Sequence, residues 1–113
     1  FDCPNAYLRN GVAMPVLAAG TWQYNDTEAT TSVKLAAQAG FTHFDTANDY
    51  NNQRGVGAGL AATGLSRDRI FLTSKVPGCG IQGVRKEYCA QDTAAAIQDD
   101  LLLLGSEYLA LRG

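Results

Sequence analysis

Three side chains of this 113-residue sequence have the types and order needed to move a proton without a metal. Asp45 lies in the run FTHFDT (41–46), Tyr50 follows five residues on, and Lys75 lies near the end of IFLTSKV (70–76). A free tyrosine has a pKa of about 10. An ammonium close to its oxygen stabilises the phenolate, which makes the phenol a usable proton donor near neutral pH. An acid beside the amine would hold it charged and aimed. The bland alternative is a satisfied ion pair next to an exposed loop tyrosine, and spacing alone leaves both open.

For that chemistry both runs must be neighbouring strands. Side chains alternate across a strand, so Phe41, His43 and Asp45 share one face, as do Phe71, Thr73 and Lys75. Adjacent strands lie about 4.8 Å apart, which lets Asp45 and Lys75 pair at the strand ends with Tyr50 in the loop above. His43 lies deeper on the same face, where a hydrogen-bonded core histidine is expected. Trp22 follows Gly20 and Thr21 at the end of an earlier strand (16–21), where it either walls a pocket or joins the core.

The remaining segments complete an alternating order. Asn10-Gly11 between two apolar runs predicts a hairpin, and Pro15 suits an edge. The stretch 25–39 predicts a helix with Asn25 and Glu28 in a capping box. A second helix is predicted over 53–63, although Gly55, Gly57 and Gly59 weaken it. These glycines do not directly follow a strand, which rejects a dinucleotide-binding fingerprint. A third helix is predicted over about 91–104, and 108–111 would open another strand. Hairpin, then β, α, β, α, β, α implies parallel strands with right-handed crossovers. An open doubly wound sheet and a (β/α)8 barrel both fit, and both carry their sites at the C-terminal ends of strands.

Composition supports a packed core, with 46% hydrophobic and 18% charged residues. A net charge of -2 gives no reason to expect nucleic acid or an anionic membrane as partner. No apolar run approaches the roughly 20 residues a spanning helix needs. Cys3, Cys79 and Cys89 lack a CxxC spacing, so free thiols in a reducing, cytoplasmic setting are expected. Opening on Phe1 and closing on LALRG, the sequence reads as a piece of a longer protein from which a targeting segment could have been lost.

Taken together these motifs resemble the N-terminal part of an aldo-keto reductase. NGVAMPVLAAGTW is similar to that family's opening hairpin and first strand, AGFTHFDTANDYNNQRGVGAGL to its Asp–Tyr segment, and IFLTSKV to its lysine strand. The likeness runs through nearly the whole sequence in the right order. It implies an α/β fold, the N-terminal part of a (β/α)8 TIM barrel with its hairpin at the bottom, incomplete near strand four. It also implies NAD(P)H-dependent interconversion of a small aldehyde or ketone and its alcohol, with NADP favoured over NAD. By the resemblance Tyr50 donates the proton, Lys75 supports it, and Asp45 supports Lys75 and meets the nicotinamide ribose. Gly20, Thr21 and Trp22 match the segment near the nicotinamide.

Departures accompany the likeness. Ala18 stands where the family has glycine, Gln53 where it has glutamate, Ala110 where it has aspartate, and Arg112 where an apolar strand residue is usual. The family's catalytic histidine falls beyond Gly113, and His43 cannot replace it. A complete barrel takes about 250 residues, so this piece alone is expected to be poorly stable and inactive. Two other readings stand beside the reductase: a barrel relative that binds without catalysis, and a self-sufficient small βα domain. Retention of Asp45, Tyr50 and Lys75 together argues against the first, and a thermal melt of the segment tests the second.

Overall fold

The computed structural model describes residues 3–109. The chain starts with an antiparallel hairpin, β1 (Asn5–Tyr7) against β2 (Ala13–Pro15), in which Ala6 faces Met14. Asn10 and Gly11 make its turn. Gly11 takes a φ of +84°, which glycine adopts without a steric penalty, and the Asn10 side chain accepts from the Val12 amide at 3.1 Å. Pro15 ends β2 in this two-stranded ribbon, where a missing N–H is tolerated.

Three parallel strands follow, β3 (Ala19–Gly20), β4 (His43–Asp45) and β5 (Phe71–Thr73), hydrogen-bonded in chain order. The register sets Gly20 beside Asp45 and Asp45 beside Thr73. The strands are shorter than the sequence runs suggest, but pairing continues beyond them. Thr46 donates to the Thr73 carbonyl at 2.9 Å and Asn48 to the Lys75 carbonyl at 2.9 Å.

Three helices, α1 (Asp26–Gln38), α2 (Gln53–Ala62) and α3 (Cys89–Leu104), connect or follow the strands, and α2 packs against both others. A doubly wound sheet reverses its winding; these strands progress in one direction with the helices side by side, as in a barrel wall. The expected capping box begins α1: Asn25 accepts from the Glu28 amide at 2.8 Å, and Glu28 accepts from the Asn25 amide at 3.1 Å. Ala29, Val33, Phe44, Val56, Leu60, Ile70, Leu72 and Leu104 form the core between helices and sheet. With Phe44 and Leu72 in register on this side, alternation sends His43, Asp45 and Thr73 to the other. No described helix is long and apolar enough to cross a membrane.

The free-thiol expectation is corrected for two cysteines: Cys79 and Cys89 form a disulfide, with Cα atoms 5.3 Å apart. The loop after β5 folds back through Gly80 N–H to the Val84 carbonyl (2.7 Å) and Ile81 N–H to the Gly78 carbonyl (3.1 Å), which brings the two sulfurs within reach. Cys3 is the free cysteine among the described residues. The pairing removes Cys79 and Cys89 as grounds for a reducing compartment. Helix α3 begins earlier than expected, at the second of these cysteines. Tyr108 and Leu109 are not in a strand, and the rest of the strand expected over 108–111, with Ala110 and Arg112, lies outside the described residues.

The same loop is fastened to α3 by an ion pair. Asp92 accepts from the Arg85 backbone N–H (2.8 Å), Nε (2.8 Å) and Nη2 (2.9 Å). The Arg85 side-chain hydrogen bonds, then its backbone N–H, lower the Asp92 pKa from 3.8 to about 2. A carboxylate held down in this way favours the folded loop above pH 3.8, and that contribution disappears as pH falls through about 2. NMR titration is expected to place Asp92 near 2, and Arg85→Gln to move it toward 3.8; a value already at 3.8 in the unaltered protein would contradict the ion pair.

Candidate active site at the strand ends

Lys75 is the hub of the rim. Its Nζ donates to both Asp45 oxygens, at 2.8 and 2.9 Å, and to the Thr46 carbonyl at 2.8 Å. It also lies 5.1 Å from the centroid of the Tyr50 ring, within cation–π distance. The sequence expectation that acid, phenol and amine converge is met, with Asp45 at the end of β4, Tyr50 in the following turn and Lys75 two residues past the end of β5 rather than inside a strand.

Burial alone would lower the Lys75 pKa. The Asp45 hydrogen bond and charge outweigh it, joined by the nearby Tyr50 hydroxyl, and the net displacement is upward from 10.5. Lys75 is therefore an ammonium at physiological pH. Its side chain is 48% exposed and that of Asp45 32%, so the pair contributes at most about 1 kcal/mol to stability. What it supplies is a fixed charge.

Local structure sets each group. Asp45 ends β4, while Tyr50 closes a single 3-10 turn (Asn48–Tyr50). Asn51, which follows, takes a φ of +56°, a left-handed conformation that asparagine tolerates better than most residues. The turn is held to the lysine strand by the Asn48 amide, which donates to the Lys75 carbonyl.

Gly20 and Thr21 stand beside Asp45. The Thr21 hydroxyl donates to the Asp45 carbonyl at 2.9 Å, while a Cβ placed on Gly20 would meet no atom within 4 Å. Trp22 is 65% exposed, which excludes the core alternative. Asn52, which the sequence reading did not single out, clamps this segment by donating to the Thr21 and Tyr24 carbonyls at 2.6 and 3.0 Å. Its position at the start of α2 offered no sequence signal for that contact.

The His43 side chain bonds away from the Asp45–Lys75 pair. Its Nδ1 faces the Pro15 carbonyl at 2.8 Å and its Nε2 the Thr73 hydroxyl at 3.0 Å, with Phe71 edge-on at 4.7 Å. A carbonyl only accepts, so Nδ1 carries a proton; in the neutral ring Nε2 then accepts from Thr73. These bonds anchor the hairpin near the opposite end of the strands. The expected structural role for His43 is what the geometry provides.

The rim also suits a nicotinamide nucleotide. Asp45 offers acceptor oxygens to a ribose hydroxyl, Gly20 leaves space for close approach, and Trp22 presents a flat apolar face. The Asp45 carboxylate is already satisfied by Lys75 but remains partly open to solvent.

Known proteins share this arrangement of elements. A 9,11-endoperoxide prostaglandin H2 reductase of Trypanosoma cruzi (strain CL Brener) is 40% identical over 105 residues, covering 92% of this chain and 35% of that protein. A glyoxal reductase of Bacillus subtilis (strain 168) is 38% identical over 105 residues, covering 92% and 36%. This chain thus spans about a third of the length of the curated relatives it matches. Among solved structures, an aldo/keto reductase from Brucella melitensis superposes with a TM-score of 0.82 at 35% identity, covering 96% of this chain and 39% of its own. A Bombyx mori aldo-keto reductase in complex with NADP gives 0.80 at 28% identity, covering 96% and 36%. These neighbours are (β/α)8 barrels, and the described residues form a part of that fold that does not close on itself. The sequence model of the Aldo/keto reductase family matches residues 16–111, and the chain belongs to that family.

Proposed function

We propose that residues 1–113 are the N-terminal part of an NAD(P)H-dependent reductase that converts a small aldehyde or ketone to its alcohol, with Tyr50 as proton donor. The observation that carries this reading is the Lys75 ammonium, held by Asp45 and set beside Tyr50. When bound, the nicotinamide supplies the hydride. Asp45, Gly20, Thr21 and Trp22 would hold its nicotinamide ribose end. NADP is favoured over NAD by the Bombyx mori neighbour, which was solved with NADP.

Tyr50 delivers its proton to the carbonyl oxygen as that oxygen gains electron density, so a full negative charge does not accumulate there. Lys75 stabilises the phenolate left behind, and Asp45 keeps the amine from swinging toward solvent. Exposed Trp22 would form one wall beside the carbonyl carbon. The proposed setting is a soluble protein, and the Cys79–Cys89 disulfide removes the thiol argument for a cytoplasmic one.

Turnover is assigned to the longer chain. Among the described residues β3 and β5 each have one neighbour in the parallel sheet, and Leu102 on α3 is 79% exposed. Unpaired strand edges and exposed apolar surface favour association over function. The full-length protein is expected to consume NADPH with glyoxal or a simple aldehyde, and the isolated 113 residues are expected to consume none. NADPH-dependent turnover by the isolated segment would overturn the assignment to the longer chain, and inactivity of the full-length protein toward a broad carbonyl panel would overturn the reductase reading.

A further inference from the structure

Asp100 lies on α3, half the chain away from Asp45 and Tyr50, and is completely buried. Its Oδ1 accepts from the Asn48 side-chain amide at 2.8 Å and from the Gln53 amide at 2.6 Å. Its Oδ2 lies 3.2 Å from the Ser74 hydroxyl, which also lies 2.6 Å from Gln53 Oε1. Each of these partners adjoins the proposed catalytic groups. Ser74 precedes Lys75, Asn48 opens the turn that ends on Tyr50, and Gln53 starts the next helix.

Three donor groups, the Asn48 and Gln53 amides and the Ser74 hydroxyl, converge on the Asp100 carboxylate, with the one hydroxyl hydrogen shared between Asp100 Oδ2 and Gln53 Oε1. Both amide NH2 groups point at one oxygen, which must therefore act only as an acceptor. The Asn48 backbone amide meanwhile binds the Lys75 carbonyl. The turn bearing Tyr50 is thus tied to the lysine strand on one side and to α3 on the other. Buried networks of this kind are rigid while every member is satisfied and fail sharply when one is not. Gln53 stands where the resembling family has glutamate, and here the carboxyl of the cluster comes from Asp100 instead.

We propose that Asp100 is a positioning residue for proton delivery: through Asn48, Gln53 and Ser74 it locks the Tyr50 turn at a fixed distance from Lys75. The proposal rests on the reading of Tyr50 as proton donor. Asp100→Asn puts an NH2 group among donors and should release the turn.

The test uses the full-length protein with four variants: Asp100→Asn, the exchange Gln53→Glu with Asp100→Asn, Asn48→Ala, and Tyr50→Phe. Asp100→Asn is expected to lower kcat about 10- to 100-fold, the scale of a small misplacement of a reacting group. NADPH affinity, measured by fluorescence titration, should stay unchanged because the cluster lies behind the rim. The double exchange restores one carboxyl among amide donors and should recover most of kcat. Asn48→Ala removes a single tie, should lower kcat in the same direction, and carries the test if Asp100→Asn does not fold.

Native kcat in folded Asp100→Asn or Asn48→Ala, while Tyr50→Phe is inactive, would overturn this proposal alone. The same follows if the double exchange regains the thermal midpoint but not kcat. Full turnover by Tyr50→Phe would instead remove the reading of the site on which the proposal stands.

Discussion

Tyr50→Phe in the full-length protein is expected to lower kcat by about 10²- to 10⁴-fold, the usual worth of a positioned general acid. The substitution deletes one oxygen and keeps the ring. The cation–π contact with Lys75, 5.1 Å from the ring centroid, survives, and so do the backbone bonds of the 48–50 turn. Thermal stability and cofactor affinity should therefore change little. Loss of kcat with both of those intact assigns the hydroxyl to the chemical step. Retained turnover would leave the Asp45–Lys75 pair as a structural ion pair.

The lysine sets the pH range over which the proposed proton delivery can operate. Its folded-state pKa is raised above 10.5, so the stabilisation it gives is fully present below 10.5 and is lost only as pH rises through the folded value. Throughout the neutral range the amine keeps its charge and its bonds to Asp45. That is the physical reason the acid is needed. Without Asp45, burial would act on Lys75 with less opposition and the ammonium beside Tyr50 would be less secure.

The meeting of Asp45, Tyr50 and Lys75 was legible in the sequence because a strand's two-residue alternation fixes which side chains share a face, and the loop from Asp45 to Tyr50 is short. Asn25 and Glu28 were legible for a similar reason: a capping box is local. The Cys79–Cys89 pairing was not, since it depends on how the glycine-rich loop doubles back. Nor was the Asp100 cluster, whose bonds join residues up to 52 positions apart. Trp22 lay between these cases: its place at the strand end was readable, but its exposure depended on which elements pack nearby. The three glycines of α2 weakened a helix expectation that the structure bears out, for an instructive reason. Intrinsic propensity counts them as weak helix residues, whereas their neighbours in space require the absence of a Cβ.

Gly55→Ala shows which effect wins. On propensity alone alanine should strengthen α2 by about 1 kcal/mol. A Cβ at residue 55 would instead overlap the backbone of Asp26 at the start of α1. Backbone cannot rotate away as a side-chain tip can, so the helices must separate. Separation also strains the Gly55 amide bond to Asp26 Oδ1 (3.1 Å) and the Thr30 hydroxyl bond to the Gly55 carbonyl (2.8 Å). Gly59 faces Val33 in the same way, with a Cβ there only 2.8 Å from the valine Cβ, so α2 has no neighbouring slack to absorb the shift. Overpacking of this kind costs about 1–3 kcal/mol, and loss of the Gly55 amide bond adds about 1 kcal/mol, while the Thr30 hydroxyl keeps the Asp26 carbonyl as an acceptor. The net expectation is a loss of about 1–3 kcal/mol after the propensity gain is subtracted. Ala58→Gly, at an exposed position of the same helix, is the control and should cost about 1 kcal/mol from propensity alone. Denaturant unfolding of the full-length variants decides the matter: a stabilised Gly55→Ala would mean that α1 and α2 do not meet at this glycine, and the packing that carries the Tyr50 loop would have to be redrawn.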